Sequence, residues 1–264
     1  MGRIVTFGLL ALAIPVFGER LTVSLDGSWD IEESLSASEM PAAFQHRVKV
    51  PGLVHLAQPP FPDVDRFDSP ESVEKMVRLK LLPASAKAGS RGIPHQNRNY
   101  FWYRTSFRLP ARRAVVLLRI GKAQFGTAVW LNGRKVGEHL GCFTAGHFDL
   151  TSGVSWQGEN SLVIRVGAHP AVLPETAPAG TDNEKTLWTP GIYDSVALLL
   201  ADNPVIENVQ VAPRLASSEI LIETRLRNYG PAGTFSLSHH VEGRSASARV
   251  PLARGEEKSV RLTI

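Results

Sequence analysis

Two pairs of adjacent carboxylates, Glu32-Glu33 and Glu256-Glu257, are the first residues in this 264-residue sequence with the makings of acid–base chemistry. General acid and general base must face one reacting group. Both pairs fall in extended stretches, where neighbours point to opposite faces, so both read as surface charge. His239 and His240 are split in the same way, and His46, His55, His95, His139, His147 and His169 lack the spacing of metal ligands. The single cysteine, Cys142, lies between Gly141 and Phe143 with no acid or histidine beside it, which suits a buried, inert thiol better than a nucleophile. There is no phosphate-cradling glycine loop and no serine–histidine–aspartate set in context. A structural Ca²⁺ is compatible with such a chain but no carboxylate cluster marks a site for it, and no cofactor is expected.

The elements that would position any site come next. With 43% hydrophobic and 20% charged residues the chain has the composition of a globular protein, and 22 Gly with 18 Pro favour short strands and many turns. Its net charge of +4 is scattered, without a basic run interleaved with aromatics, so a nucleic-acid partner is not expected. Arg3, the apolar stretch Ile4 to Val16, and Val16-Phe17-Gly18 form a charged region, a short apolar core and a small-residue cleavage site. The stretch is shorter than the roughly 20 residues of a membrane span. Residues 1–18 are therefore expected to be a signal peptide, with a mature chain starting near Glu19 in a secreted or periplasmic setting. One cysteine leaves no internal disulfide, so packing must supply stability.

Strand signals are dense. Residues 21–31 alternate around Asp26-Gly27 as a strand or hairpin, and Val48–Gly52 closes a second extended stretch in a turn. Ser69-Pro70-Glu71, followed by Val73, Met76 and Val77, predicts one short helix inside a long excursion from Gln58 to Asn99. Strands are expected over 100–109, 114–120, 127–131, 135–139, 144–150, 161–166 and 191–200, with Asn132-Gly133 as a hairpin turn and 168–186 as a loop. Beyond Asp202-Asn203-Pro204 lie five more candidates, at 205–212, 219–227, 234–242, 246–252 and 257–264. Five strands are two short of a seven-stranded immunoglobulin-type unit. The pattern predicts an all-β chain with an antiparallel sandwich or barrel first.

Three segments resemble the sugar-binding domain of family-two glycoside hydrolases, the group of β-galactosidases, β-glucuronidases and β-mannosidases. They are Asn99–Phe107 (NYFWYRTSF), the run from Ala128-Val129-Trp130-Leu131-Asn132-Gly133 through Val136–His139, Gly141–Thr144, Phe148–Thr151 and Gly158–Val166, and Trp188–Val196 (WTPGIYDSV). Val50-Pro51-Gly52 is similar to an early turn of that family, and the likeness covers about residues 21–200. It implies a galactose-binding-like jelly-roll β-sandwich over 19–202, then an incomplete immunoglobulin-like β-sandwich over 203–264. In such a sandwich Trp130 and Phe148 are expected between the sheets, and Gly141 at a close crossing or bulge.

The resemblance further implies a third part, a (β/α)₈ barrel holding two catalytic glutamates about 5–5.5 Å apart. Nothing in these residues matches their motifs, so no catalytic residue is carried over. In family members the jelly roll lends polar groups to the rim of the barrel's sugar pocket. By resemblance those positions are Asn97 and Asn99, and Asp182 and Asn183 ahead of Trp188, with amides and carboxylate for hydroxyls and the indole for a pyranose face. Turn-forming and core roles compete for the same residues. The expected partners are carbohydrate and a barrel supplied elsewhere, with no nucleic acid or membrane. The leading expectation is thus the non-catalytic front part of a secreted glycosidase. A stand-alone carbohydrate-binding module and a structural or adhesion sandwich are the alternatives.

Overall fold

A computed structural model describes residues 20–62, 64, 70–80, 82–85, 98–179 and 189–264. The signal-peptide segment, Ser69, Asn97, Asp182, Asn183 and Trp188 lie outside the described residues. The described regular structure is nearly all strand, with one described α-helix, α1 (Pro70–Arg78), where proline in the first turn costs no hydrogen bond. No described helix is long and apolar enough to cross a membrane.

The first sandwich is built from β1 (Leu21–Ser24), β2 (Gly27–Ser34), β3 (His46–Val50), β4 (Gly52–Leu53), β5 (Tyr100–Phe107), β6 (Val115–Ile120), β7 (Ala123–Gln124), β8 (Thr127–Leu131), β9 (Arg134–His139), β10 (Gly146–Asp149), β11 (Asn160–Gly167), β12 (Gly191–Ile192) and β13 (Val196–Ala201). A six-stranded sheet runs β3-β2-β5-β11-β8-β9, and a four-stranded sheet runs β1-β13-β6-β10. A short three-stranded sheet, β4-β12-β7, closes one end. Every pairing is antiparallel.

Strand periodicity decides what faces inward. Trp29 and Ile31 of β2, Phe101 and Tyr103 of β5, and Leu162, Ile164 and Val166 of β11 meet Val116, Leu118 and Ile120 of β6, Phe148 of β10 and Leu198 and Leu200 of β13 in one core. Several of these side chains have no exposed surface at all. The expected turn joins β8 to β9, with Asn132 and Gly133 at φ of 50° and 80°. Gly141 does sit at a close approach, where a Cβ would collide with Thr144 and His139 side chains.

Three local expectations change. Residues 21–31 are not a hairpin: β1 pairs with β13 and β2 with β3 and β5, so Asp26-Gly27 is a corner between sheets. The segment 191–200 is two strands, interrupted at Tyr193–Ser195, because Asp194 caps the backbone N–H of Ser195 and ends the ladder. Trp130 does not fill the space between sheets. Val129 and Leu131 occupy the core, so the intervening side chain must point out. There it stacks 4.8 Å from Trp102, with the Arg165 guanidinium over Tyr100 at 4.5 Å and near both indoles.

After Asp202–Pro204 come β14 (Val205–Arg214), β15 (Glu219–Arg227), β16 (Gly233–Val241), β17 (Arg244–Leu252) and β18 (Glu257–Thr263). They form a three-stranded sheet, β14-β15-β18, and a two-stranded one, β16-β17. Leu226, Leu237, Val250 and Leu252 are packed between them. Val209 and Val211 lie opposite buried Thr224 and Ile222, yet are 46% and 58% exposed, because no described strand covers that end of the inner face. These five strands form an antiparallel three-on-two sandwich whose inner face is only partly covered by described strands.

Replacing Ile164 by Ala should destabilise the chain by about 2–5 kcal/mol, whereas Leu215→Ala, at a residue 91% exposed, should change stability by less than about 0.5 kcal/mol. Urea denaturation of both variants checks the inside–outside assignment.

Candidate functional site

Of the positions picked out by resemblance, Asn97, Asp182, Asn183 and Trp188 fall within two segments, 86–97 and 180–188, that lie outside the described residues, and Asn99 borders the first. The residues bordering them are well defined, and one run of backbone hydrogen bonds connects them. Asn99 donates its N–H to Ser34 (2.8 Å) and accepts from Ala168 (2.8 Å). Gly167 and Phe125 exchange a reciprocal pair at 3.0 and 3.1 Å. Gln124, next along, pairs with Gly191, and its side-chain amide donates to Thr189 O at 2.7 Å. Pro190 accepts from Val54 N–H at 2.9 Å. Asn99, two residues after Asn97, and Thr189, the residue after Trp188, are thereby held at the same end of the first sandwich.

Gly191 makes this ladder possible. A Cβ there would stand 2.6 Å from Gly52 O and 2.8 Å from Leu53 Cα, distances that no side chain tolerates. The local sequence Thr189-Pro190-Gly191 thus brings β12 close against β4, and Pro190 gives up no donor that the ladder needs.

Around this rim the described polar groups have distinct tasks. Asn99 is half-buried, with its amide oxygen on the Nε2 of buried His169 at 2.9 Å. Its amide nitrogen makes a long contact of 3.5 Å with Leu35 O, leaving it able to donate outward. Arg98, buried against the Phe61 and Phe101 rings, donates to Glu33 at 2.7 Å and to Pro62 O at 2.9 Å. Lys75 of α1 reaches across to Pro170 O and Leu173 O at 2.8 and 2.7 Å, and its burial pushes its pKa down. Met76 packs with Phe125, Cys142 and Leu173, so α1 covers this end of the barrel-like space between the sheets.

Tyr193 donates its hydroxyl to the Cys142 carbonyl, and burial raises its pKa. Beside it an open hollow is lined by Leu53, Lys122, Gln124, Phe143 and Tyr193, with half-exposed Phe143 as an available aromatic face. Lys75 and Gln124 were not singled out in the sequence, His169 was considered only as a metal ligand, and Tyr193 entered only as the aromatic residue of the WTPGIYDSV segment.

The carboxylate pairs are engaged elsewhere. Glu32 accepts from Gln45 N–H, and its neighbour Glu33 binds Arg98. Glu256 caps Ala253 N–H while Glu257 faces Arg225 and Arg227. His239 bonds Thr224, and no group of three or more potential metal-binding side chains is found among the described residues.

Comparison with known proteins follows this geometry. Residues 86–188 match the family model described as the glycosyl hydrolase 2 galactose-binding domain-like. The chain is 30% identical over 113 residues to a β-glucuronidase of Canis lupus familiaris, covering 40% of this chain and 17% of that protein. Among solved structures it is similar to a Bacteroides uniformis β-glucuronidase (TM-score 0.62, 19% identity, 93% of this chain and 27% of that one). It is also similar to a putative β-galactosidase from Bacteroides fragilis (TM-score 0.60, 14% identity, 93% and 35%) and to a β-D-mannosidase from Dictyoglomus thermophilum (TM-score 0.54, 20% identity, 92% and 31%). The chain thus spans about a third or less of the length of these relatives.

Cys142 reports on whether α1 closes this end. It is 1% exposed and its thiol pKa is raised by burial, so iodoacetamide at about pH 8, where a free cysteine is partly ionised, should leave the native chain unlabelled. Labelling should be complete in denaturant. Native labelling at the rate of a free thiol would show that the end stands open.

Proposed function

We propose that this chain, whose residues 86–188 match the model of the glycosyl hydrolase 2 galactose-binding domain-like family, is the non-catalytic front part of an exported glycoside hydrolase. The first sandwich, over 19–202, holds its end loops against a sugar, and the strands over 203–264 begin the immunoglobulin-like unit that follows. Asn97, Asn99, Asp182 and Asn183 offer amides and a carboxylate to sugar hydroxyls, and Trp188 offers a ring to an apolar pyranose face. The two facing carboxylates of glycoside hydrolysis come from a (β/α)₈ barrel, in the same polypeptide or as a separate chain.

The observation that carries this reading is the run of backbone bonds from Asn99 through Ala168, Gly167, Phe125 and Gln124 to Gly191. It ties the borders of both polar loops to one end of a rigid sandwich, which is how a scaffold delivers side chains to a shared ligand. The relatives' catalytic activities support the substrate class, a glycoside, without choosing the sugar.

Purified chain assayed on nitrophenyl β-glucuronide, β-galactoside and β-mannoside should release no nitrophenol above buffer. Turnover that co-purifies with the folded chain would contradict the proposal. Export is tested separately: the intact mass of the secreted product should correspond to a chain beginning near Glu19, and retention of residues 1–18 would exclude it.

A further inference from the structure

On the outer face of the four-stranded sheet, Val115, Leu117, Leu199 and Ala201 pack with Val205, the first residue of β14, and with Tyr229, just beyond β15. Beside this seam lies a cleft of about 270 Å³ whose lining shares no residue with the rim described above. Its floor is apolar, formed by Leu117, Leu199 and Val205. One wall presents His147 and Asp149 from β10, and the other presents Glu207, Arg225, Arg227 and Tyr229.

The two guanidiniums are two residues apart on β15 and so share a face. Their contacts to carboxylates are long: Arg225 lies 3.7 Å from Glu207 and 3.5 Å from Glu257, and Arg227 lies 3.8 Å and 3.9 Å from the same pair. None of the four is a hydrogen bond, although charge holds the groups in place. The Arg227 guanidinium is further fixed 5.4 Å from the centre of the Tyr229 ring, whose hydroxyl donates to Glu207 at 3.2 Å. Two pre-positioned forks therefore have donors to spare, which is the arrangement that receives a carboxylate side-on.

The opposite wall complements them. Asp149 accepts from Thr151 N–H with one oxygen, leaving the other for a donor from the cleft. Burial, with Arg119 nearby, lowers the His147 pKa, so at neutral pH the imidazole offers one donor and one acceptor. The lining holds three guanidiniums, Arg20, Arg225 and Arg227, and two carboxylates, Asp149 and Glu207, with Glu257 beside Arg225 and Arg227. The volume sits just under the range of about 300–1,000 Å³ of drug-sized sites, so one ring fits and a chain does not.

We propose that this cleft between the two sandwiches binds a monosaccharide-sized hydroxylated carboxylate, a sugar acid. Its carboxylate lies on Arg225 and Arg227, its hydroxyls on Asp149, His147 and Glu207, and its apolar face on Leu117 and Leu199. The site is independent of the rim and of any barrel, so it stands or falls apart from the function proposed above.

Calorimetric titration of the full chain with D-glucuronate, D-glucose and acetate tests it. Glucuronate should bind saturably, with glucose and acetate each weaker by about tenfold or more, since each lacks one half of the recognised chemistry. The double variant Arg225→Gln/Arg227→Gln should weaken glucuronate about tenfold or more, and Asp149→Asn on the other wall should weaken it while leaving β15 untouched. Should the double variant fail to fold, Asp149→Asn and His147→Ala decide the matter alone. Absence of saturable glucuronate binding, equal binding of glucose or of acetate, or affinity unchanged in the folded variants would overturn the assignment.

Discussion

The structure depends on one constraint: β5 and β11 must bury their inner faces against β6 and β13. Phe101, Tyr103, Leu162 and Ile164 on one side and Val116, Leu118, Leu198 and Leu200 on the other have almost no contact with water. At about 25 cal/mol per Å² of apolar surface removed, this is the main favourable term available to a chain with no disulfide. Side chains alternate with period two, so a shift of one residue in any of these strands would expose its whole apolar set. Register is therefore fixed, and with it the position of every loop at the strand ends.

That fixed register is what makes a rim possible. Because β5 and β11 pair from Tyr100–Gly167 through to Phe107–Asn160, the chain before β5 and the chain after β11 emerge side by side. The short β4-β12-β7 sheet then adds the chain preceding Gly191 to the same end. Buried polar groups secure the arrangement. His169 bonds to Asn99 through Nε2 and Lys75 donates to two carbonyls, in line with the tendency of buried polar groups to be hydrogen-bonded. The polar anchors belong to the scaffold, and the loops they hold carry the groups proposed to meet sugar.

Much of this was legible in the residues. Alternation located nearly every strand, and Asn132-Gly133 located a turn through two residues that tolerate positive φ. The Glu242-Gly243 turn between β16 and β17 has the same geometry, with φ of 45° and 80°, but glutamate gives no such signal and it passed unnoticed. Periodicity says which residues share a face, not which sheet a strand joins. Hence Asp26-Gly27 read as a hairpin turn and proved a corner, and Trp130 was assigned inward when Val129 and Leu131 already claimed that face. Asn97, Asp182, Asn183 and Trp188 were picked out by resemblance and lie outside the described residues. The hydrogen bonds of Lys75, Gln124 and His169 were not legible, because a side chain bonding to a distant carbonyl leaves no local trace in sequence.

The two sandwiches differ in closure, and that difference is the most direct physical consequence of the burial argument. The first closes a core between six and four strands, whereas β14 runs along an edge with Val209 and Val211 largely in water. Native-state amide hydrogen exchange reads this strand by strand. The account predicts that amides of β5, β6, β11 and β13 exchange slowest, near the global unfolding limit, and that those of β14 beyond Asn208 exchange much faster. Equal protection of β14 and β11 would contradict it.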